Sequence, residues 1–288
     1  MPILNGEQYI KKALNHISKQ QYPNLELIIS LNISHDNSEK IIKKFIKNKN
    51  WIKLFIQKNL LSITEQFAFV VKKSKGKFFL WHAYDDYFSN NFIKNCFHYL
   101  TENSNCCVVQ SKTQLIELPK NIKKELIKFK DKDYLFNTKE VVNSLLSENK
   151  FNYFFYGLFR AEILKKSHML FNVKSSDRFF LMQFALSNLK FGYINNATYY
   201  RGIHKISSTK RYPNDNFRRS IEKNKYLLNP ITALNTCKKN FLNQRISQIS
   251  DSKYIIILSK ILFFIFKRQL RLILRFFKYE VFFLLKRK

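Results

Sequence analysis

Apolar positions recur along the chain in two rhythms, one of about 3.6 residues and one of short continuous runs. Ile10, Ala13, Leu14 and Ile17 fall at i, i+3, i+4 and i+7, which predicts a helix after Asn5 and Gly6 that ends at Tyr22 and Pro23. Residues 25–31 are apolar on both faces, as a strand of a covered parallel sheet is. The pattern then predicts a helix over 37–45, a strand over 51–56, a helix over 64–73 and a strand over 77–84 closed by Asp85 and Asp86. Ser89 can cap a helix running to about Leu100, and 106–111 reads as a strand. This alternation predicts an α/β domain with a parallel-type sheet and helices on both faces. Ligands of such sheets collect at the carboxyl ends of strands, here around 30–38 and 84–88.

From about 112 to 150 the signal weakens, with a helix over 138–146. Residues 152–159 are rich in aromatics and read as strand-like. A helix over 177–189 and a strand over 191–201 follow, and after about 215 the pattern stays helical. The five glycines fall at element edges, where turns are their ordinary use.

Composition adds two constraints. With 29 Phe and 15 Tyr among 288 residues, the chain can bury a core and is not a disordered polymer. Lys and Arg number 51 against 20 acidic residues, a formal charge of +31, which favours anionic partners. Part of that excess matches the Lys, Asn, Ile and Phe usage of an AT-rich genome. The four cysteines form no CxxC pair, which argues against a disulfide framework or a structural zinc site. No run of about 18 uncharged apolar residues offers a membrane span.

Candidate chemistry rests on few residues. Asp85 and Asp86 at a strand end suit a hard divalent cation that carries a diphosphate; taken alone, such a common pair favours a polar loop before the helix at Ser89. Asp177 opens a helix, a position that Asp fills as a cap. His204 follows a strand beside Arg201 and Lys205, and Asp36 lies in a loop before a helix.

Five segments, in order, resemble family 2 glycosyltransferases of the GT-A fold: PILNGE at 2–7, YPNLELIIS at 22–30, NISHD at 32–36, GKFFLWHAYDD at 76–86 and YRGIH at 200–204. The resemblance covers about residues 1–210. It implies a Rossmann-like three-layer α/β sandwich that transfers a sugar from a nucleotide-diphosphate donor to a hydroxyl acceptor with inversion, using Mn²⁺ or Mg²⁺. It further implies that Asp85 contacts the donor and Asp86 holds the metal. Asp177 would be the general base, Arg201 and His204 would lie near the diphosphate and metal, and Asn5, Asn32 and Asp36 would flank the nucleotide. The acceptor would be a saccharide or a lipid-linked glycan of the cell surface.

Two departures stand out. Where the family carries an Asp that pairs with the base, this chain has Leu31. The family's first strand precedes the Pro2 segment, and here Met1 abuts Pro2, so the expectation is a domain without that strand, from a misassigned start or a decaying gene. The expected division is a catalytic domain over 1–214 and a basic helical region over 215–288. In the latter, Lys260, Lys267, Arg268, Arg271, Arg275 and Lys278 share one helical face opposite Phe and Leu residues. Such a stripe suits either an anionic membrane interface or packing on the domain with the basic face in water. The implied location is cytoplasmic, on the inner face of the membrane. The alternatives are a catalytically impaired membrane-bound remnant and a nucleic-acid-binding protein, although no nucleic-acid motif appears.

Overall fold

The computed structural model describes residues 1–147, 150–167 and 176–204. The boundary at 214/215 and the basic region over 215–288 lie outside the described residues. The chain opens with β1 (Pro2–Ile3), α1 (Glu7–Ile17), β2 (Leu27–Leu31), α2 (Ser38–Ile46), β3 (Ile52–Ile56) and α3 (Ile63–Lys73). The three strands form a parallel sheet in the order β1-β2-β3, with β2 buried along its whole length. The predicted helical spacing holds in α1, whose buried residues are Ile10, Ala13, Leu14 and Ile17. A capping box of Ser62 and Glu65 fixes the start of α3.

β4 (Phe78–Phe79), β5 (Tyr87–Phe88), α4 (Phe92–Glu102), β6 (Cys106–Leu118), β7 (Ile122–Ile127), β8 (Tyr134–Phe136) and α5 (Thr138–Leu146) follow. A 3₁₀ helix (Lys150–Tyr156), β9 (Leu158–Arg160), α6 (Ala161–Lys166), α7 (Ser176–Leu186) and β10 (Lys190–His204) complete the described chain. The second sheet is mixed and runs β4-β9-β6-β10-β5, with β7 on β6 and β8 on β10. Its spine is the long parallel pair of β6 and β10.

Three expectations change. The strand expected over 77–84 is strand only at Phe78–Phe79, and the chain turns at 84–85, where Asp86 N donates to Ala83 O at 3.3 Å. The aromatic run expected as a strand is the 3₁₀ helix, since Phe151, Tyr153, Phe154 and Phe155 all bury and no single strand face could hold them. Gly192 and Gly202 lie inside β10 rather than in turns. No glycine has a positive φ, and a Cβ on Gly202 would lie 2.7 Å from the Asp85 carbonyl oxygen.

The first strand is also corrected: it is short rather than missing. Pro2 pairs with Ser30 and Ile3 with Leu31, Ser30 N donates to Met1 O at 3.0 Å, and the Met1 amino group donates to Ile28 O at 2.7 Å. Beyond Met1, a cavity of about 560 Å³ separates β2 from β4.

His82 lines that cavity at 2% exposure, and burial pulls its imidazole down to about pKa 4. Between that value and the ordinary 6.5 the unfolded chain binds more protons than the folded one, so this residue's contribution to stability falls as pH drops from 6.5 to 4. The expected loss is about 3 kcal/mol over that window. Chemical denaturation of wild type and His82→Gln at a series of pH values checks it: their difference should vary over pH 4–6.5 and be flat above, and a constant difference would refute it.

Candidate active site

The carboxyl ends of β1 and β2 are tied together by side chains. Asn5, at φ 50°, occupies the left-handed region that Asn tolerates, and its Oδ1 accepts from His35 N at 2.9 Å. Asp36 accepts from Glu7 N at 2.9 Å through one oxygen and from Ser38 N at 3.0 Å through the other. Ser34 Oγ and Ser38 Oγ accept from the Asn5 and Gly6 amides. The residues expected beside a nucleotide thus build the rim, fastening the turn before α1 to the loop before α2. Asn32 is 1% exposed and holds another loop: its amide donates to Leu61 O at 2.9 Å and its oxygen accepts from Leu61 N at 3.0 Å. Leu31 is buried in the core.

Across the cleft, the turn after β4 meets the end of β10. Asp85 Oδ2 and His204 Nε2 lie 2.8 Å apart, both partly accessible. Asp86 is buried, and both of its oxygens are engaged by β10: one accepts from the Tyr199 hydroxyl, the other from Gly202 N at 2.8 Å. Burial, and then the charge of Asp85, push the Asp86 carboxyl up to about 7, against the pull of Arg201. Asp86, the expected metal ligand, therefore anchors the β10 end, and Asp85 beside it is the more accessible of the two. The close approach of Gly202 to the Asp85 backbone makes this docking possible.

Arg201 lies over the ring of Tyr153 at 4.7 Å and near that of Tyr156 at 5.6 Å. Asp177, in the first turn of α7, accepts from Asn152 Nδ2 at 3.0 Å. Burial raises the Tyr156 phenol well above its ordinary value; Arg201 opposes the shift, while Asp86, Asp85 and Asp177 add to it. Tyr156 thus lies within electrostatic reach of all three carboxylates and the guanidinium. The structure brings Asp85, Asp86, Arg201, His204 and Asp177 around one aromatic wall, and places Asn5, Asn32 and Asp36 at the strand ends of the other sheet.

The sequence model of the family described as glycosyl transferase family 2 matches residues 1–167, more than half of the chain. The chain belongs to glycosyltransferase family 2.

A curated relative, glycosyltransferase GlyG of Streptococcus pneumoniae serotype 4, is 28% identical over 102 residues, 35% of this chain and 34% of its own. A Haemophilus influenzae protein described as an uncharacterized glycosyltransferase is 25% identical over 103 residues, 36% of this chain and 41% of its own. The matches thus span about a third of the length of these relatives. The solved structure of Staphylococcus aureus TarS residues 1–349 with UDP aligns with a TM-score of 0.58 at 19% identity, covering 90% of this chain and 78% of that one. The mannosyltransferase PcManGT of Pyrobaculum calidifontis, in complex with GDP-Man and Mn²⁺, aligns with a TM-score of 0.54 at 12% identity, covering 92% and 84%. These likenesses place the α/β glycosyltransferase domain in the GT-A fold.

Within this family 2 domain, Tyr153 and Tyr156 lie against Arg201 and Asn152 bonds Asp177, neighbours that sequence reasoning missed. Their signal was the aromatic run itself, whose spacing fits neither a strand nor an ordinary helix. Tyr9 was missed as well; its ring packs edge-on against His204 at 5.4 Å. Among the described residues, no group of three or more His, Cys, Asp and Glu gathers as metal ligands. The Asp85 carboxylate does fit a hard divalent cation, which takes one or two protein carboxylates and completes its shell with phosphate oxygens and water. Asp85 and His204 supply a carboxylate and an imidazole, and a cation there would offset the Asp85 charge that, after burial, raises the Asp86 carboxyl. Among the described residues, no helix is long and apolar enough to cross a membrane.

Proposed function

We propose that the protein is an inverting glycosyltransferase that moves a sugar from a nucleotide-diphosphate donor to a hydroxyl on a saccharide or lipid-linked acceptor. The observation that carries this reading is the Asp85–His204 pair, together with Tyr156, which feels the charges of Arg201, Asp86, Asp85 and Asp177. The UDP and GDP-Man complexes of the structural neighbours support a nucleotide-sugar donor. Asp85 and His204 would hold Mn²⁺ or Mg²⁺, which when bound supplies Lewis-acid neutralisation of diphosphate charge.

The chain's own residues account for the rest. Asn152 holds the Asp177 carboxylate by one oxygen, which leaves the other for an acceptor hydroxyl. Asp177 takes the hydroxyl proton as that oxygen bonds to the anomeric carbon. The bond from that carbon to the diphosphate oxygen breaks on the opposite face, so the configuration inverts. Arg201, held over Tyr153, places a fixed positive charge where negative charge develops on the departing group. Tyr156 and Tyr153 line the wall and keep water from that charge.

Asp85→Ala should fold normally and lose the Mn²⁺-dependent part of its donor affinity, a weakening of about tenfold or more. Calorimetry of UDP-sugars and GDP-sugars with and without Mn²⁺ measures it. Equal affinity of wild type and variant in Mn²⁺ would remove Asp85 from the site, and no binding or transfer from any nucleotide sugar would sink the enzymatic reading.

The basic stripe at 260–278 supports attachment to the inner face of a membrane, with the acceptor delivered there. Each basic side chain near an anionic surface contributes about 1 kcal/mol. Replacing Lys260, Lys267, Arg268, Arg271, Arg275 and Lys278 by Gln should reduce co-sedimentation with phosphatidylglycerol vesicles to the level seen with neutral ones. Unchanged co-sedimentation would mean that the stripe does not face lipid.

A further inference from the structure

The buried stripe of α1, formed by Ile10, Ala13, Leu14 and Ile17, has a counterpart in solvent. Gln8, Lys11, Lys12, Asn15, His16 and Lys19 recur at i, i+3, i+4, i+7, i+8 and i+11. They therefore share one face of the helix and of the turn that continues it, where they line a shallow groove of about 430 Å³. All but His16 are exposed. This lining holds three lysines and no carboxylate. Glu7, the acid in the first turn of α1, is engaged elsewhere: its oxygens accept from Asn37 N at 3.0 Å and from Asn37 Nδ2 at 2.7 Å. Among the described residues none of the three lysines makes an ion pair, whereas Lys43, Lys53 and Lys124 pair with Glu39, Glu26 and Glu117.

One side of the groove is held in shape. Lys12 Nζ donates to Asn121 Oδ1 at 2.8 Å, in the turn between β6 and β7, and stands 4.8 Å over the ring of Tyr87. His16 stacks on that ring at 4.4 Å, and Tyr87 stacks on Tyr200 at 4.6 Å. Burial first, and then the charges of Lys12 and Lys19, hold the His16 imidazole below its ordinary value. The groove also leads to the site. Tyr9 lies one turn before Lys12, and its ring packs against His204, whose Nε2 is 2.8 Å from Asp85. From Tyr9 to Lys19 the helix and its turn rise about 15 Å, the length of a short oligosaccharide.

We infer that this groove holds the non-reacting part of the acceptor, and that the acceptor is an anionic saccharide chain carrying phosphate or carboxylate groups. The inference rests on the reading of Asp85 and His204 as part of the transfer site. The ammonium groups of Lys11, Lys12 and Lys19 meet the anions. The amides of Gln8 and Asn15, which both donate and accept, meet hydroxyls. Lys12 and His16 are already ordered by their contacts with Asn121 and Tyr87, so little side-chain freedom is lost when a chain binds. A neutral glycan would gain nothing from the three charges, and the groove discriminates against it.

Three tetrasaccharide probes test this: maltotetraose, its 6-phosphate and tetragalacturonate. In calorimetry at low salt an anionic probe should bind more tightly than maltotetraose, and the tighter of the two tells phosphate from carboxylate. Replacing Lys11, Lys12 and Lys19 together by Gln should weaken that probe by about tenfold or more. Replacing the exposed Lys40, Lys44 and Lys47 by Gln removes the same charge elsewhere and should leave its affinity within about twofold. Binding to the wild type should also shift the His16 titration upward, read by NMR, because an anion offsets the two neighbouring ammoniums. Equal affinity for charged and neutral probes, equal losses in the two triple variants, or an unmoved His16 titration would overturn the proposal. So would a first triple variant that loses phosphatidylglycerol vesicles and keeps the saccharides, because the stripe would then face lipid. Nucleotide-sugar affinity in Mn²⁺, measured on the same proteins, should be equal in the wild type and both variants. A failed groove therefore leaves donor binding intact, whereas failure of the catalytic reading removes it from every version.

Discussion

Asp177→Asn is expected to keep donor binding and to lose turnover by about 10²–10⁴, the range that a positioned general base supplies. The substitution is nearly isosteric. Asn retains an oxygen to accept from Asn152 Nδ2, as Asp177 Oδ2 does at 3.0 Å, so the start of α7 should stay in place. What it loses is the capacity to take a proton. Asp177 is not in contact with the Asp85–His204 pair and should leave the donor's dissociation constant within about twofold. Single-turnover transfer with saturating nucleotide sugar separates the two effects. Loss of turnover with intact donor binding and an unchanged melting curve supports the base; wild-type turnover would reduce Asp177 to a helix cap. Asn152→Ala is the companion. It removes the group that orients the carboxylate and should slow transfer less than Asp177→Asn does.

How far the sequence carried this reading can be argued residue by residue. Elements that bury one helical face or a continuous strand were legible: β2, α2, β3 and α3 fall within about two residues of the pattern, and α1 starts where expected but ends at Ile17, five residues before Tyr22, because burial in a layered sheet writes the buried positions and not the helix end. The 3₁₀ helix was not, because four buried aromatics in six positions carry no strand or helix period. β5 and β7 were missed for the opposite reason. β5 is two residues long, and β7 is exposed along most of its length, so neither shows alternation. The site was legible as a set of residue types and poorly legible as roles. Asp85 and Asp86 are adjacent in sequence, and nothing in their spacing reveals that the turn at 84–85 leaves one carboxylate partly accessible and buries the other. The partners that decide this, Tyr199, Gly202 and His204, lie more than 110 residues downstream.

That difference between the two carboxylates has a measurable consequence. Asp86→Ala should destabilise the fold strongly, and Asp85→Ala should not. Removing the Asp86 carboxyl leaves the Tyr199 hydroxyl, which is fully buried, and the Gly202 amide without their acceptor. Each buried orphan costs about 1–3 kcal/mol, so the expected loss is about 2–6 kcal/mol. Asp86→Asn keeps one acceptor and should fall between Ala and wild type. The pH dependence separates this from simple loss of packing. With its carboxyl at about 7 in the fold and 3.8 in the unfolded chain, Asp86 holds a proton in the folded state over that interval. The folded form then binds more protons than the unfolded one, so this residue's contribution falls as pH rises from 4 through 7. Asn cannot ionise, and the gap between wild type and Asp86→Asn should therefore narrow over the same range. Denaturant unfolding of the metal-free protein at pH 5 and pH 8 measures both effects. If Asp86→Ala unfolds at the wild-type midpoint and loses Mn²⁺-dependent donor binding, the metal belongs to Asp86 and not to the carboxylate beside it. If it unfolds early while Asp85→Ala keeps its stability and loses the metal response, the buried member of the pair holds β10 in place and the exposed member holds the cation.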